Sequence, residues 1–113
     1  MKRAWMSRAA AFAALTLAGG AAAADCYDVF GCSNRDRFRF GDLMSGPNCE
    51  FLYVMRNRIY AERGYCFQTA RGIATFGNQG CVSANANALG LSAIELANAA
   101  TILQAEHAKG CPL

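Results

Sequence analysis

Residues 45–67 read Ser45-Gly46-Pro47-Asn48-Cys49-Glu50-Phe51-Leu52-Tyr53-Val54-Met55-Arg56-Asn57-Arg58-Ile59-Tyr60-Ala61-Glu62-Arg63-Gly64-Tyr65-Cys66-Phe67, and this stretch decides the fold. Ser45 offers a capping hydroxyl, and Pro47 falls in a first helical turn, where its missing N–H costs nothing. A helix is therefore predicted from about Asn48 to Arg63, with Gly64 supplying the left-handed residue that ends it. At about 100° per residue, Phe51, Leu52, Met55 and Ile59 share one broad apolar face. Tyr53 and Tyr60 stack on another side, and Val54 and Ala61 fill a third. A helix apolar over most of its circumference is central to its domain.

Outward from this helix the signals are shorter. Toward the N-terminus, Asp25 to Gly41 is irregular and holds the close pair Cys26 and Cys32. Within it, residues 35–40 alternate, with Arg35, Arg37 and Arg39 on one face and Asp36, Phe38 and Phe40 on the other. That period predicts an extended segment laying two Phe rings on the domain, its arginines forming a solvated edge or an anion site. Toward the C-terminus, Thr69 is placed to cap a short helix, Ala70 to Phe76, with Ile73 and Phe76 inward. Gly77 to Gly80 is a turn, and Val82 to Gly90 a polar connector. Ser92-Ala93-Ile94-Glu95 is a capping box that opens a last helix to about Lys109. Its expected inner stripe is Leu91, Ile94, Ile102 and Ala105, flanked by Leu96, Ala99 and Leu103. The expected class is mainly α: a small disulfide-stapled helical domain of two long helices and one short helix, with an extended N-terminal segment.

Residues 1–24 have the order of a secretory signal peptide. Lys2, Arg3 and Arg8 precede the apolar run Ala9 to Ala18, and Ala22 to Ala24 offers an Ala-x-Ala cleavage site. The run is too short and too Ala-rich for a spanning anchor, and Asp25 before Cys26 does not suit a lipoprotein. Cleavage is expected before Asp25, leaving one domain, 25–113, with no stable membrane insertion. The whole chain carries 11 basic and 8 acidic residues, a net charge of +3. Three of the basic residues lie in the leader, so the charges of the remainder cancel. That argues against nucleic acid as a partner.

All six cysteines follow the leader. In an oxidising periplasmic or extracellular compartment an even set pairs, and a domain this small needs such links to supplement a modest core. Zinc is not expected, because no Cys-x-x-Cys is present and His107 is the single histidine. No cofactor is expected either. Cys49 and Cys66 bracket the central helix, whose ends lie more than about 20 Å apart, beyond the roughly 7 Å a disulfide spans. The favoured pairing is Cys49–Cys81, Cys66–Cys111 and Cys26–Cys32. The alternative pairs Cys66 with Cys81 and Cys49 with Cys111.

Catalytic constellations are absent from the sequence. A nucleophile needs a neighbouring base, and His107 near a helix C-terminus is explained by the helix dipole. Glu62 is the acid nearest an apolar helix face, but Arg58 is four residues away and placed to pair with it. The expectation is a protein that is not an enzyme.

The run Arg56-Asn57-Arg58-Ile59-Tyr60-Ala61-Glu62-Arg63-Gly64-Tyr65-Cys66-Phe67 resembles the signature of the YARHG domain, approximately Arg-Asn-x-Ile-Tyr-Ala-Arg-His-Gly-Tyr-x-Phe. Arg56, Asn57, Ile59, Tyr60, Ala61, Gly64, Tyr65 and Phe67 match; Glu62 and Arg63 depart from the basic pair of the pattern. Cys49 to Tyr53, and Phe76-Gly77-Asn78 with Cys81, look like the cysteine-bearing branch of exported proteobacterial members. The resemblance implies an extracytoplasmic, mainly helical module and no reaction. Physically, Tyr65 and Phe67 would fold back on the helix just ended. Arg56 and Tyr60 could stack, and Arg56 and Asn57 could bond the carbonyls of the returning loop.

The leading functional expectation is a non-catalytic binding or accessory module of the cell envelope, acting on peptidoglycan, another glycan or a protein. Arg56, Asn57, Tyr60, Arg63 and Tyr65, beside the Gly64 turn, are the candidate contact residues. A periplasmic protein-interaction or inhibitor module is the alternative, and a small carboxylate hydrolase using Glu62 the third reading.

Overall fold

The computed structural model describes residues 25–113; the leader expected at residues 1–24 lies outside them. The chain opens with a two-residue antiparallel pair, β1 (Cys26–Tyr27) and β2 (Gly31–Cys32), with Cys26 opposite Cys32. Four α-helices follow among the described residues: α1 (Phe40–Ser45), α2 (Cys49–Ala61), α3 (Ala70–Phe76) and α4 (Ala93–Lys109). A 3₁₀ turn at Ala86–Ala88 precedes the last. The mainly α class is as the sequence implies, with α2 and α4 long and α3 short; α1 is an addition.

The N-terminal segment is less extended than its alternation suggests. Arg35 and Asp36 belong to a turn, both donating their backbone N–H to the Cys32 carbonyl at 3.0 and 2.8 Å. The Asp36 carboxylate accepts from the Cys32 N–H at 2.8 Å. Phe38 is buried as expected, whereas Phe40 starts α1 and is exposed. Leu43, fully buried, is the residue through which α1 joins the core. Ser45 belongs to the end of α1, where its hydroxyl donates back to the Gly41 carbonyl. The cap of α2 is instead Asn48, whose side chain accepts from Phe51 N–H at 2.8 Å. Gly46-Pro47 separates the two helices because Pro cannot continue the first.

The other caps form as expected: Thr69 caps α3 and Ser92 with Glu95 closes a full capping box on α4. α4 ends on Gly110 in the left-handed conformation. α2 stops at Ala61, and Gly64 has φ +90°. Gly64 also permits a close approach, since a Cβ there would stand 2.6 Å from Val82 Cγ2. Its carbonyl accepts from Val82 N–H at 2.6 Å, and Ser83 O accepts from Cys66 N–H at 2.8 Å.

α2 and α4 run antiparallel, as the crossed order of their contacts shows: Cys49 bonds Cys111, Arg56 meets Glu106, and Arg63 meets Glu95. Between them and α1 lies the core of Phe38, Leu43, Leu52, Met55, Ile59, Ala99, Ile102 and Ala105. Tyr27, Phe30, Met44, Tyr60 and Leu91 pack against it. The inner face of α4 differs from the expected stripe. Ile102, Ala105 and Ala99 are inside, Leu96 is exposed, and Glu95, Asn98 and Glu106 take buried places. Ile73 of α3, expected inward, is exposed as well, while Phe76 stacks on Phe67.

The sulfur pairing corrects the favoured expectation. Cys26–Cys32 forms, but Cys49 bonds Cys111 and Cys66 bonds Cys81 in place of Cys49–Cys81 and Cys66–Cys111. Two nonlocal facts decide this. α4, 17 residues and about 25 Å long, returns its C-terminus beside the start of α2. Meanwhile α3 does not carry Cys81 to the start of α2. Asn78 binds both backbone groups of Phe67, accepting from its N–H at 2.8 Å and donating to its carbonyl at 3.0 Å. With the Phe67–Phe76 stack, that clamp closes the loop beside Cys66.

Candidate functional site

The five candidate contact residues divide into those turned inward and those facing a groove. Arg56 lies within α2 and Arg63 two residues past its end, and both reach α4. Glu95 and Glu106, eleven apart on α4, share a helix face. Arg56 forms a bidentate pair with Glu106, through Nε to Oε1 and Nη2 to Oε2. The Arg56 side chain is 18% exposed and that of Glu106 is 0%. Arg63 grips Glu95 through Nη2 at 2.6 Å and Nε at 3.2 Å, and its Nη1 donates to the Gly90 carbonyl at 3.2 Å. Planar guanidinium forks suit carboxylates in this way. Arg56, of the signature, and Arg63, two residues past the end of α2, therefore both tie this segment to α4.

Other expected contacts are redistributed. Asn57 donates to the Tyr53 carbonyl within its own helix, and not to the returning loop. Arg56 lies 5.9 Å from the Tyr53 ring centre, whereas Tyr60 packs edge-on against Tyr65 at 6.1 Å. Arg58 and Glu62 form no ion pair among the described residues; Glu62 is exposed at the cap of α2. Arg58 Nε and Asp25 Oδ1 are buried without a hydrogen bond, and both charges are felt by Tyr27. Burial raises the Tyr27 hydroxyl above its ordinary 10.0; the Arg58 cation opposes that rise and the Asp25 and Glu62 anions add to it.

Sequence reasoning missed Asn98. This fully buried amide accepts from Phe38 N–H at 2.8 Å and donates to the carbonyls of Ser33 and Asp36 at 2.9 and 2.8 Å. It fastens the segment after β2 to α4. The signal was present: Glu95, Asn98, Ile102, Ala105 and Glu106 recur at helical spacing, and so lie on one stripe.

Arg56, Asn57 and Tyr65 do meet, in a groove of about 310 Å³ between α2 and the chain that returns through Gln68 and Thr69 to α3. Leu103 and Leu113 form its apolar side. The other lining residues were not among the candidates, and of these Tyr53 and Arg71 are in direct contact. The Arg71 guanidinium sits 3.5 Å over the Tyr53 ring centre and its Nη2 donates to Glu50 Oε1 at 2.9 Å. Arg63 lies in a separate depression on the other side of Tyr65 and Phe67, which border both. Tyr60 lines neither. A third, larger groove of about 750 Å³ is mainly apolar, with Val29, Phe30, Phe51 and Val54 in its wall. Among the described residues, no three His, Cys, Asp or Glu side chains gather as a metal site would require.

Fold and site together define a small helical module, crosslinked three times, with Arg56 and Arg63 spent on internal pairs and a polar groove beside Arg56. The family model of the YARHG domain matches residues 32–107, and the chain belongs to that family. No curated protein and no solved structure matches it. The match includes α1 to α3 and all but the last two residues of α4. Cys26 and Cys111 lie outside it, so two of the three disulfides anchor flanking residues to the family core. The disulfides and the family both fit an extracellular or periplasmic protein. No described helix is long and apolar enough to cross a membrane.

Proposed function

We propose that this protein is a non-catalytic binding module of the bacterial cell envelope, exported through its leader to the periplasm or beyond, whose ligand is a wall glycan such as peptidoglycan. One observation carries this reading: Arg56, Asn57 and Tyr65 line a single groove with Tyr53, Gln68 and Arg71. Amides, guanidinium groups and aromatic rings on one concave surface match the hydroxyls, amides and apolar faces of sugars. The internal pair of Arg56 with Glu106 holds that surface rigid, which limits the ordering cost of binding.

The test is co-sedimentation of the oxidised domain with purified sacculi. Pelleting is expected, and Arg71→Ala should reduce it with the melting transition retained. Protein that stays in the supernatant, or an Arg71→Ala variant that pellets as the parent does, overturns the reading. A second reading, a periplasmic protein partner, is favoured by the apolar groove, where Val29 is 75% and Phe51 42% exposed. A photo-crosslinker at Val29 that captures one discrete partner, lost in Val54→Asp, would support it over the glycan.

A further inference from the structure

We infer that the groove takes a ligand bearing a carboxylate, which displaces Glu50 from Arg71; this deepens the binding reading above and rests on it. Two guanidinium groups flank one ring. Arg71 Cζ is 3.5 Å over the Tyr53 ring centre, and that of Arg56 is 5.9 Å from the same ring centre. Tyr53 is itself only 7% exposed, so the platform under Arg71 is fixed. Neither arginine has used all its donors: Nη1 of Arg56, and Nε and Nη1 of Arg71, bond no protein acceptor among the described residues. No Asp or Glu side chain lines the groove.

The two cations differ in how firmly they are neutralised. Arg56 is held by Glu106, which is wholly buried and cannot leave without exposing the core. Arg71 is held by Glu50 through one hydrogen bond, with side-chain exposures of 37% and 66%. An exposed pair of this kind contributes little, so exchanging Glu50 for another carboxylate costs little. The incoming group gains a preorganised fork on a stacked plane, with Gln68 and Thr69 at the groove wall for its neutral part. Glu50 borders the apolar groove and not this one, so it pairs with Arg71 from outside, and the ligand's anion competes with it for the same guanidinium. In a wall polymer that anion is either a sugar carboxylate or a peptide terminus, and both present the same chemistry.

Amide NMR titration of the oxidised domain tests this with N-acetylmuramic acid against neutral N-acetylglucosamine, and N-acetyl-D-alanyl-D-alanine against its C-terminal amide. Saturable shifts around Gln68, Thr69 and Arg71 are expected with at least one acid and not with its neutral counterpart; which acid responds identifies the source. Glu50→Gln removes the competitor and should tighten binding by about two- to fivefold. Arg71→Gln should weaken it by about tenfold or more. A neutral probe that binds as well as its acid, no response to either acid, or a Glu50→Gln variant no tighter than the parent overturns the inference. Each of these outcomes is compatible with pelleting on sacculi, so the parent reading stands or falls separately.

Discussion

Asn98 shows how one side chain can organise a segment with little regular structure. Its amide satisfies three backbone groups of residues 33–38 that would otherwise be buried without partners. Each such orphan costs about 1–3 kcal/mol. Asn98→Ala is therefore expected to destabilise the domain by on the order of 3 kcal/mol, read by urea denaturation, while Asn87→Ala at an exposed position changes little. Tyr27 makes a second prediction at this scale. Its proton is held above pH 10.0 in the folded state, chiefly by burial. The unfolded chain gives up that proton first, so folding stability is full below pH 10 and falls as pH rises beyond it. Chemical denaturation between pH 9 and 11 should show the fall, and Tyr27→Phe should flatten it.

At the scale of elements, α2 and α4 are joined by an apolar seam and by two ion pairs, one from Arg56 within α2 and one from Arg63 just past its end. The Arg56–Glu106 pair is the deeper. Removing one member strands a buried charge, at about 3–5 kcal/mol, whereas replacing both by apolar groups of similar volume costs much less. Arg56→Met should thus lower the denaturation midpoint more than Arg56→Met/Glu106→Met, and the double-mutant cycle should return a large coupling. Single and double variants of equal stability would show that the pair does not couple the helices. The helices themselves were legible because caps and period are local: Thr69, the Ser92–Glu95 box and Gly110 act within a few residues of their own backbone. α1 was not, because Arg35 to Phe40 alternates as a strand does while Leu43 and the Lys109–Met44 hydrogen bond draw the following turn into the helical layer.

For the whole molecule, three disulfides close loops of very different length. Cys49–Cys111 spans a sequence separation of 62, against 15 for Cys66–Cys81 and 6 for Cys26–Cys32. On the chain-entropy model these are worth roughly 4, 3 and 2 kcal/mol. Replacing Cys49 and Cys111 together by Ser should therefore lower the melting temperature most, and replacing Cys26 and Cys32 least, in calorimetric scans of the oxidised proteins. An inverted order would mean that native packing, and not loop closure, sets the contribution of each link.

The five candidate contact residues carry the same lesson. Arg56, Asn57 and Tyr65 reach one groove, yet Arg56 and Arg63 are also committed to Glu106 and Glu95, and Arg71 and Tyr53 enter from outside the signature. From its residues alone the chain specified a mainly α domain, most of its helix boundaries, its family and an even set of cysteines, because propensity, capping and periodicity act over a few residues. Which cysteine bonds which, which acid each arginine holds, and which side chains share a cavity were decided only when α4 turned antiparallel to α2 and Asn78 closed the loop on Phe67. The partners that fix α4 against α2 lie 32 to 62 residues apart, and no local pattern encodes the distance between them.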